Sequence, residues 1–258
     1  NLASFLFRSV LHDHIMPSMK PKIRLFVDHV LQNGQSIPLT REQTHYLFSV
    51  MRLLQGDHIA LFNGYNGEWR AIIEQAQKKK GQLLCLEQTQ IQVNPPDLWL
   101  IFAPIKKART DFIVEKAVEL GAAKILPVQT EFTNSERIRQ DRLQAHATEA
   151  AEQCGSTFVP EVCKLVRLYQ LLADWPQERQ LLFCDETKTG QSTSLAVCRG
   201  DKWAILIGPE GGFSQNEREY IVNMENSQSI SLGPRILRAD TAAVAALTLW
   251  QSRFGDWS

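Results

Sequence analysis

The tetrapeptide Asn94-Pro95-Pro96-Asp97 separates two parts of the chain that have different hydrophobic patterns. Consecutive prolines interrupt helices and strands alike, because each lacks a backbone N–H and has a fixed φ. Beyond them, short apolar runs alternate with longer stretches of helical periodicity. This alternation is typical of an α/β domain, in which helices cover both faces of a mostly parallel sheet.

The alternation also predicts where the elements of this α/β domain lie. Strands are predicted at residues 98–103, 124–128, 180–184, 202–207 and 229–232, and helices at 110–120, 139–154, 214–225 and 239–253. Ligands of such sheets bind at the carboxyl ends of the strands. The loops after Cys184, Ile207 and Leu232 are therefore predicted to carry the chemistry.

The part of the chain before the prolines has shorter apolar runs, separated by Asn-Gly and Lys-Gly turns. This pattern predicts a small antiparallel barrel or sheet, interrupted by one helix at residues 41–51. We therefore expect two domains, at residues 20–93 and 97–258. Residues 1–19 begin with Asn rather than Met, and we interpret them as an upstream extension or a tag remnant.

The composition excludes several classes of protein. The 258 residues are 44% hydrophobic and include 28 basic and 28 acidic side chains, which is typical of a folded soluble protein without overall attraction to nucleic acid. Contact with RNA would therefore need local patches of basic side chains. No membrane span is expected, because no run of about 18 apolar residues occurs. Five cysteines without a C-x-x-C pair, and six histidines without ligand spacing, predict a reducing cytoplasmic location and no metal.

The first candidate loop, residues 207–214, reads Ile-Gly-Pro-Glu-Gly-Gly-Phe-Ser between an apolar strand and a helix. A tight strand-to-helix turn would explain the glycines without any ligand. A phosphate cradle is the usual functional interpretation, but Glu210 would repel phosphate and no Walker-type lysine follows. The loop therefore suits a neutral or cationic ligand better.

The second candidate loop, residues 231–242, again joins a strand, a glycine turn and a helix. It carries Arg235, Arg238 and Asp240 at the start of the last helix. Helix capping by Asp240 with solvated arginines is the simple alternative to a functional site. A Gly-Pro-Arg turn at a strand end, opposite a second glycine loop, favours the site.

These two loops, together with residues 24–27, 116–121 and 149–155, resemble the ribosomal small subunit methyltransferase E family, the 16S ribosomal RNA uridine N3-methyltransferases of the SPOUT superfamily. The resemblance begins near residue 22 and continues to the end of the chain. It implies a PUA-like RNA-binding β-barrel followed by a SPOUT-type trefoil-knotted α/β domain. It also implies S-adenosylmethionine as cofactor, a homodimer that completes each site, and the small ribosomal subunit as partner.

Carried over by matching motif, the resemblance implies three cofactor loops. The candidate cofactor-binding residues are Cys184, Asp185, Glu186, Ile207, Gly208, Pro209, Glu210, Gly211, Gly212, Leu232, Gly233, Ile236, Leu237 and Thr241. An acidic glycine loop is also electrostatically sensible for a donor that carries a sulfonium and an ammonium group. The chain departs from the family pattern at Phe132 and at Ser156-Thr157, where the family has arginine.

The expected chemistry needs a proton acceptor, because uracil N3 carries a proton that must leave before or during methyl transfer. Glu210 or Asp240 could accept it, and the sequence does not decide between them. Arg238 is expected to stabilise negative charge on the uracil or to anchor a neighbouring phosphate. The candidate RNA-binding residues are Arg24, Lys106, Lys107, Arg109, Arg137 and Arg235. The alternatives are a SPOUT methyltransferase with another RNA target, such as a ribose 2′-hydroxyl, and a non-catalytic ribosome assembly factor.

Overall fold

The computed structural model describes residues 21, 23–77, 80–134, 138–190 and 200–257, which divide into two compact units. One unit comprises the described residues through Phe62 together with Glu68–Gln90. The other comprises Asn63–Gly67 and the described residues from Ile91 onward. Within these described ranges, no helix is both long and apolar enough to cross a membrane.

The first unit is built on a five-stranded sheet. Its strands are β1 (Arg24–Phe26), β2 (Ser36–Pro38), β3 (His58–Phe62), β4 (Glu68–Gln77) and β5 (Lys80–Gln90), in the spatial order β1-β3-β4-β5-β2. The β1–β3 pair is parallel and the other pairs are antiparallel. Apolar side chains from alternate positions of these strands form its core.

One helix interrupts this sheet, as the sequence predicted, but its second half differs from an α-helix. Helix α1 (Arg41–His45) begins with Thr40, whose side chain accepts the backbone N–H of Gln43 in a capping box. The chain continues as a π-helical turn over Tyr46–Val50. The turn buries Leu47 in the core of the unit.

The second unit is an α/β domain with a parallel sheet. Its strands are β6 (Leu98–Phe102), β7 (Lys124–Gln129), β8 (Glu161–Val162), β9 (Val166–Arg167), β10 (Gln180–Cys184), β11 (Trp203–Ile207) and β12 (Ser227–Ile230). Its helices are α2 (Lys107–Glu119), α3 (Gln140–Cys154), α4 (Leu168–Ala173), α5 (Gln215–Val222) and α6 (Ala239–Phe254). The spatial order is β12-β10-β11-β6-β7-β8, and β9 pairs with β7.

The strand order places three loops together. Strand β11 is buried along its whole length, as expected for a central strand of a parallel sheet. Strand β10 pairs with β11 on one side and with β12 on the other, both in parallel. The carboxyl ends of these three strands therefore lie side by side, and their loops meet at one edge of the sheet.

The last helix closes the unit and reaches this same edge with its first turn. Near its end, the ring of Phe254 stacks on Trp203 of β11 with a centroid separation of 5.1 Å. Buried Gln251 donates a hydrogen bond from Nε2 to the backbone oxygen of Leu120, at the end of α2. These contacts fix α6 against both the sheet and α2.

Most predicted elements of the α/β domain are confirmed to within one residue, and the bounds of three elements were wrong. Helix α2 begins three residues earlier than predicted, because Thr110 turns its hydroxyl back onto Ile105 instead of capping the helix. Helix α5 ends at Val222 instead of residue 225. Strand β12 covers Ser227–Ile230, since Ser231 turns to hydrogen-bond with Gly233.

Candidate active site

A cavity lies at the edge where the three loops meet, and its open space is about 600 Å³. It is lined by Cys184, Asp185, Glu186, Thr189, Ile207, Gly208, Pro209, Glu210, Gly212, Leu232, Arg235, Ile236, Leu237, Ala239 and Ala242. Each of the three loops contributes one wall, and the first turn of α6 contributes the two alanines.

The first wall is the loop after β10, where two neighbouring carboxylates are held by one arginine. Buried Asp185 accepts hydrogen bonds from the backbone N–H of Thr187 (3.0 Å) and from its hydroxyl (2.7 Å). Arg218 of α5 forms ion pairs with Asp185 and, at 2.7 Å, with Glu186. The Arg218 side chain is only 21% exposed and that of Asp185 only 3%.

This arrangement keeps the Arg218 side chain in its charged form. Burial alone would lower its pKa, but hydrogen bonds and charges of Glu186 and Asp185 offset that effect and raise it. Arg218 therefore neutralises a large part of the negative charge on this wall. The sequence reasoning missed Arg218; its only signal is an arginine in the first turns of the helix that follows the glycine loop.

The second wall is the glycine loop between β11 and α5. Gly208 lies directly on the ring of Phe213, and a Cβ there would come within 2.6 Å of the ring. Phe213 in turn packs edge-on against Phe183 of β10. Gly212 has φ of +69° and faces the Glu186 carboxylate. Both glycines are thus required by close approach, and Gly212 also by its left-handed backbone.

The end of the glycine loop is anchored by a capping box at the start of α5. The Ser214 side chain accepts the Glu217 N–H, while Glu217 Oε2 accepts the Ser214 N–H at 3.0 Å. The second oxygen of buried Glu217 accepts the backbone N–H of Glu131 at 2.8 Å. This carboxylate therefore ties the glycine loop to the segment after β7 and is unavailable to a ligand.

The third wall is the turn between β12 and α6. Gly233 has φ of +115°, and its backbone oxygen accepts the N–H of Gly190 from the first wall at 3.0 Å. Ile236 is 76% exposed at the rim of the cavity, although it is a large apolar side chain. An exposed isoleucine beside a cavity offers an apolar surface to a ligand.

Two charged side chains of opposite sign line the cavity without a counter-ion in the described structure: Glu210 on the glycine loop and Arg235 on the third wall. Both are exposed. Burial raises the pKa of the Cys184 thiol, so this thiol is protonated at neutral pH and is a packing residue rather than a nucleophile.

The cavity brings together eleven of the fourteen predicted cofactor-binding residues. Gly211, Gly233 and Thr241 belong to the same loops but do not line it. Gly211 packs on Phe132, and Thr241 lies exposed in the first turn of α6. The sequence reasoning missed the lining residues Thr189, Ala239 and Ala242. Small alanines in an apolar helix carry no signal of their own.

The three predicted catalytic residues have different surroundings. Glu210 lines the cavity, whereas Arg238 and Asp240 do not. Arg238 is the exposed N-cap residue of α6. Asp240 lies 3.7 Å from Arg109 Nε of α2 and accepts the Thr241 N–H. Asp240 is thus engaged in joining α6 to α2.

The predicted RNA-binding residues are spread over both units. Lys106 and Lys107 are exposed at the start of α2, Arg109 of the same helix is paired with Asp240, and Arg235 is in the cavity. Arg137 lies outside the described residues. Arg24 donates from Nε to Glu68 at 2.6 Å, packs over the Phe62 ring and is only 13% exposed. This pairing and burial disfavour Arg24 as a phosphate contact.

The two departures from the family pattern also have structural partners. Gly211 packs on Phe132, with 3.1 Å between the Phe132 Cβ and the position of a Gly211 Cβ. The Ser156 hydroxyl donates to Phe158 O, and the buried Thr157 hydroxyl accepts the Val93 N–H at 3.1 Å. Phe132 therefore supports the glycine loop, and Ser156 and Thr157 hold neighbouring backbone.

Metal coordination finds no support in this part of the chain: the described residues contain no group of three or more His, Cys, Asp or Glu side chains that could hold an ion.

Comparison with known protein families gives two matches. An RNA methyltransferase domain matches residues 92–251, and an RNA methyltransferase PUA domain matches residues 39–84. Ribosomal RNA small subunit methyltransferase E of Rickettsia conorii is 30% identical over 87% of this chain and 93% of its own length. The chain belongs to this methyltransferase E family.

Solved structures support the same assignment. A ribosomal RNA small subunit methyltransferase E from Neisseria gonorrhoeae, bound to S-adenosyl methionine, superposes with a TM-score of 0.82 at 27% identity and covers 92% of this chain and 99% of its own. A methyltransferase from Legionella pneumophila in complex with the same cofactor has a TM-score of 0.79 at 30% identity, covering 91% and 98%. The expected SPOUT-type α/β fold with a PUA-like amino-terminal domain is confirmed.

Proposed function

We propose that this protein methylates N3 of a uridine in 16S ribosomal RNA of the small subunit, with S-adenosylmethionine as the methyl donor. The observation that carries the proposal is the cavity formed by the loops after β10, β11 and β12. Relatives of the same fold are crystallised with that cofactor. When bound, the cofactor supplies an electrophilic methyl group, and no metal is needed for its transfer.

The residues present fit such a donor. Gly208 and Gly212 allow the close packing on Phe213 and Glu186 that shapes the glycine loop, and Leu232, Ile236 and Leu237 offer apolar surface. Glu210 brings a negative charge next to a ligand with a cationic sulfonium. The loops follow the ends of neighbouring, hydrogen-bonded parallel strands, which place them side by side.

Glu210 is the better candidate for the proton acceptor. It lines the cavity and forms no ion pair within the described structure, so its lone pairs are available to the N3 proton of uracil. The Asp240 carboxylate does not line the cavity and is already occupied by Arg109 at 3.7 Å and by the Thr241 N–H. We assign Asp240 a positioning role, in which it holds the start of α6 at the edge of the cavity.

Arg238 is proposed to stabilise negative charge that develops on the uracil, or to bind a neighbouring phosphate. It is exposed at the start of α6, immediately after the third wall of the cavity. A guanidinium suits either role because it stays charged and presents several donors in one plane. The variant Arg238→Lys distinguishes these two roles. The loss of the planar donors should reduce methyl transfer more if Arg238 contacts a uracil oxygen than if it contacts a phosphate.

Lys106 and Lys107 are proposed to contact RNA phosphates. They stand at the amino-terminal end of α2, where the helix dipole disfavours positive charge. Helix stability therefore does not explain them, whereas a polyanionic partner does. The PUA-like unit is expected to bind RNA as well, and the whole enzyme to act as a homodimer in the cytoplasm, where its ribosomal substrate is found.

The proposal is tested by incubating the protein with isotopically labelled S-adenosylmethionine and undermethylated small subunits. Mass spectrometry of the RNA should then show one labelled uridine methylated at N3. A label on a ribose 2′-hydroxyl or on another base would replace the N3 assignment. A protein that binds the subunit but transfers no label would be an assembly factor instead.

A further inference from the structure

We propose that Glu210 makes the cavity select the methyl donor over its spent product through charge. This inference rests on the proposed function, because it assumes S-adenosylmethionine in the cavity. The donor carries one positive charge more than the demethylated product, S-adenosylhomocysteine, and the two molecules are otherwise nearly the same size. A site that discriminates between them must therefore respond to that charge.

The loop after β10 carries two carboxylates, and Arg218 offsets one of their two negative charges. Asp185 and Glu186 both pair with Arg218, at 2.7 Å for Glu186, and Asp185 also accepts two hydrogen bonds from Thr187. A carboxylate that faces a guanidinium exerts little net attraction on a further cation. Arg218 therefore weakens the attraction that this pair of carboxylates exerts on a cationic ligand.

Glu210 lines the same cavity without such a partner. No ion pair or hydrogen bond to its carboxylate is found in the described part of the chain. The remaining charged lining residue, Arg235, stands on another wall and has the opposite sign. Among the described lining residues, Glu210 is thus the carboxylate that no arginine offsets.

The backbone position of Glu210 is fixed by its turn. Pro209 is buried, and the Gly212 N–H donates to the Pro209 oxygen at 3.0 Å, which closes a tight turn around Glu210 and Gly211. The backbone of Glu210 is therefore held at the cavity mouth while its carboxylate reaches solvent. A charge in this position attracts a cationic ligand but is partly screened by water.

The expected size of the effect follows from this exposure. For two opposite charges about 4 Å apart in a water-like medium, the attraction corresponds to roughly a fivefold change in binding. Glu210→Gln should therefore weaken the binding of S-adenosylmethionine about fivefold and change the binding of S-adenosylhomocysteine by less than about twofold. Glu210→Lys should weaken the binding of S-adenosylmethionine further and leave the binding of S-adenosylhomocysteine nearly unchanged.

The test is isothermal titration calorimetry of the full chain with each of the two cofactor forms, without RNA. The control is Glu225→Gln, which removes an exposed carboxylate that does not line the cavity and so matches the change in net charge. We expect the donor-to-product affinity ratio to fall in Glu210→Gln, to fall further in Glu210→Lys and to stay constant in the control. Added salt should shrink the ratio of the unaltered protein.

An unchanged ratio in both Glu210 variants, or equal losses for donor and product, would overturn the inference. Either result would leave the proposed function intact, since labelled methyl transfer to small subunits tests that separately. If the unaltered protein bound neither molecule while circular dichroism showed it folded, the inference and the proposed function would both be refuted.

Discussion

The substitution Gly212→Ala should damage both the stability of the α/β domain and its cavity. Gly212 has φ of +69°, which costs an alanine about 1 kcal/mol or more. The new methyl carbon would also lie 3.0 Å from Cδ of Glu186 and closer still to Oε1. Glu186 would have to move and would loosen its 2.7 Å ion pair with Arg218. We expect a total loss of about 2 kcal/mol of unfolding free energy.

A matched control isolates the contribution of the collision. Gly155, the C-cap of α3, has φ of +83° and nothing within 4 Å of the position of a Cβ. Gly155→Ala should therefore show only the backbone cost, about 1 kcal/mol. In the double variant Gly212→Ala/Glu186→Ala, the collision is absent and part of the loss should be recovered.

Urea denaturation measures the loss of unfolding free energy, and calorimetric titration with S-adenosylmethionine measures the loss of donor binding. Gly212→Ala should lose more unfolding free energy than Gly155→Ala and should bind the donor at least about tenfold more weakly, because a wall of the cavity shifts. Gly155→Ala should bind it normally. Equal losses of stability in both variants, together with unaltered binding, would refute the close approach of Gly212 and Glu186.

Three further predictions address other parts of the site. Arg218→Met should lower the unfolding free energy by roughly 2 kcal/mol in urea denaturation, because the carboxylate of buried Asp185 loses its charged partner. A loss below about 0.5 kcal/mol would contradict a stabilising ion pair between Arg218 and Asp185. Cys184→Ser should retain methyl transfer, and the rate of the unaltered enzyme should show no step at the ordinary pKa of a thiol, since burial raises the Cys184 pKa; an inactive, folded variant would argue for a chemical role. Lys106→Ala/Lys107→Ala should weaken binding to small subunits and reduce its salt dependence, with unchanged donor affinity; an unaltered salt slope would exclude phosphate contacts there.

The architecture of the α/β domain could be predicted because its signals are local. Strand β11 is an uninterrupted apolar run and β10 is apolar after Gln180, which is what burial on both faces requires. The glycine loop after β11 is recognisable from its composition and from the Ser214 capping residue. The predicted loops consequently form three walls of one cavity, although their roles in binding stay predictions.

Other features could not be predicted because they depend on partners distant in the sequence. Strands β8 and β9 have two residues each, too few for any periodicity. The pairing of Arg109 with Asp240 joins the first and last helices of the α/β domain, and no local sequence pattern indicates it. In the same way, the sequence shows Arg218 only as a polar residue on a helix, and its ion pair with Asp185 is visible only in the folded structure.

The central claim is that the loops after β10, β11 and β12 form the methyl-donor site, and a crystal structure of this protein with S-adenosylmethionine tests it most directly. We predict cofactor density between these loops, with Glu210 and the backbone of Gly208 beside it. Density elsewhere on the molecule, with these loops free of ligand at saturating cofactor, would contradict the account.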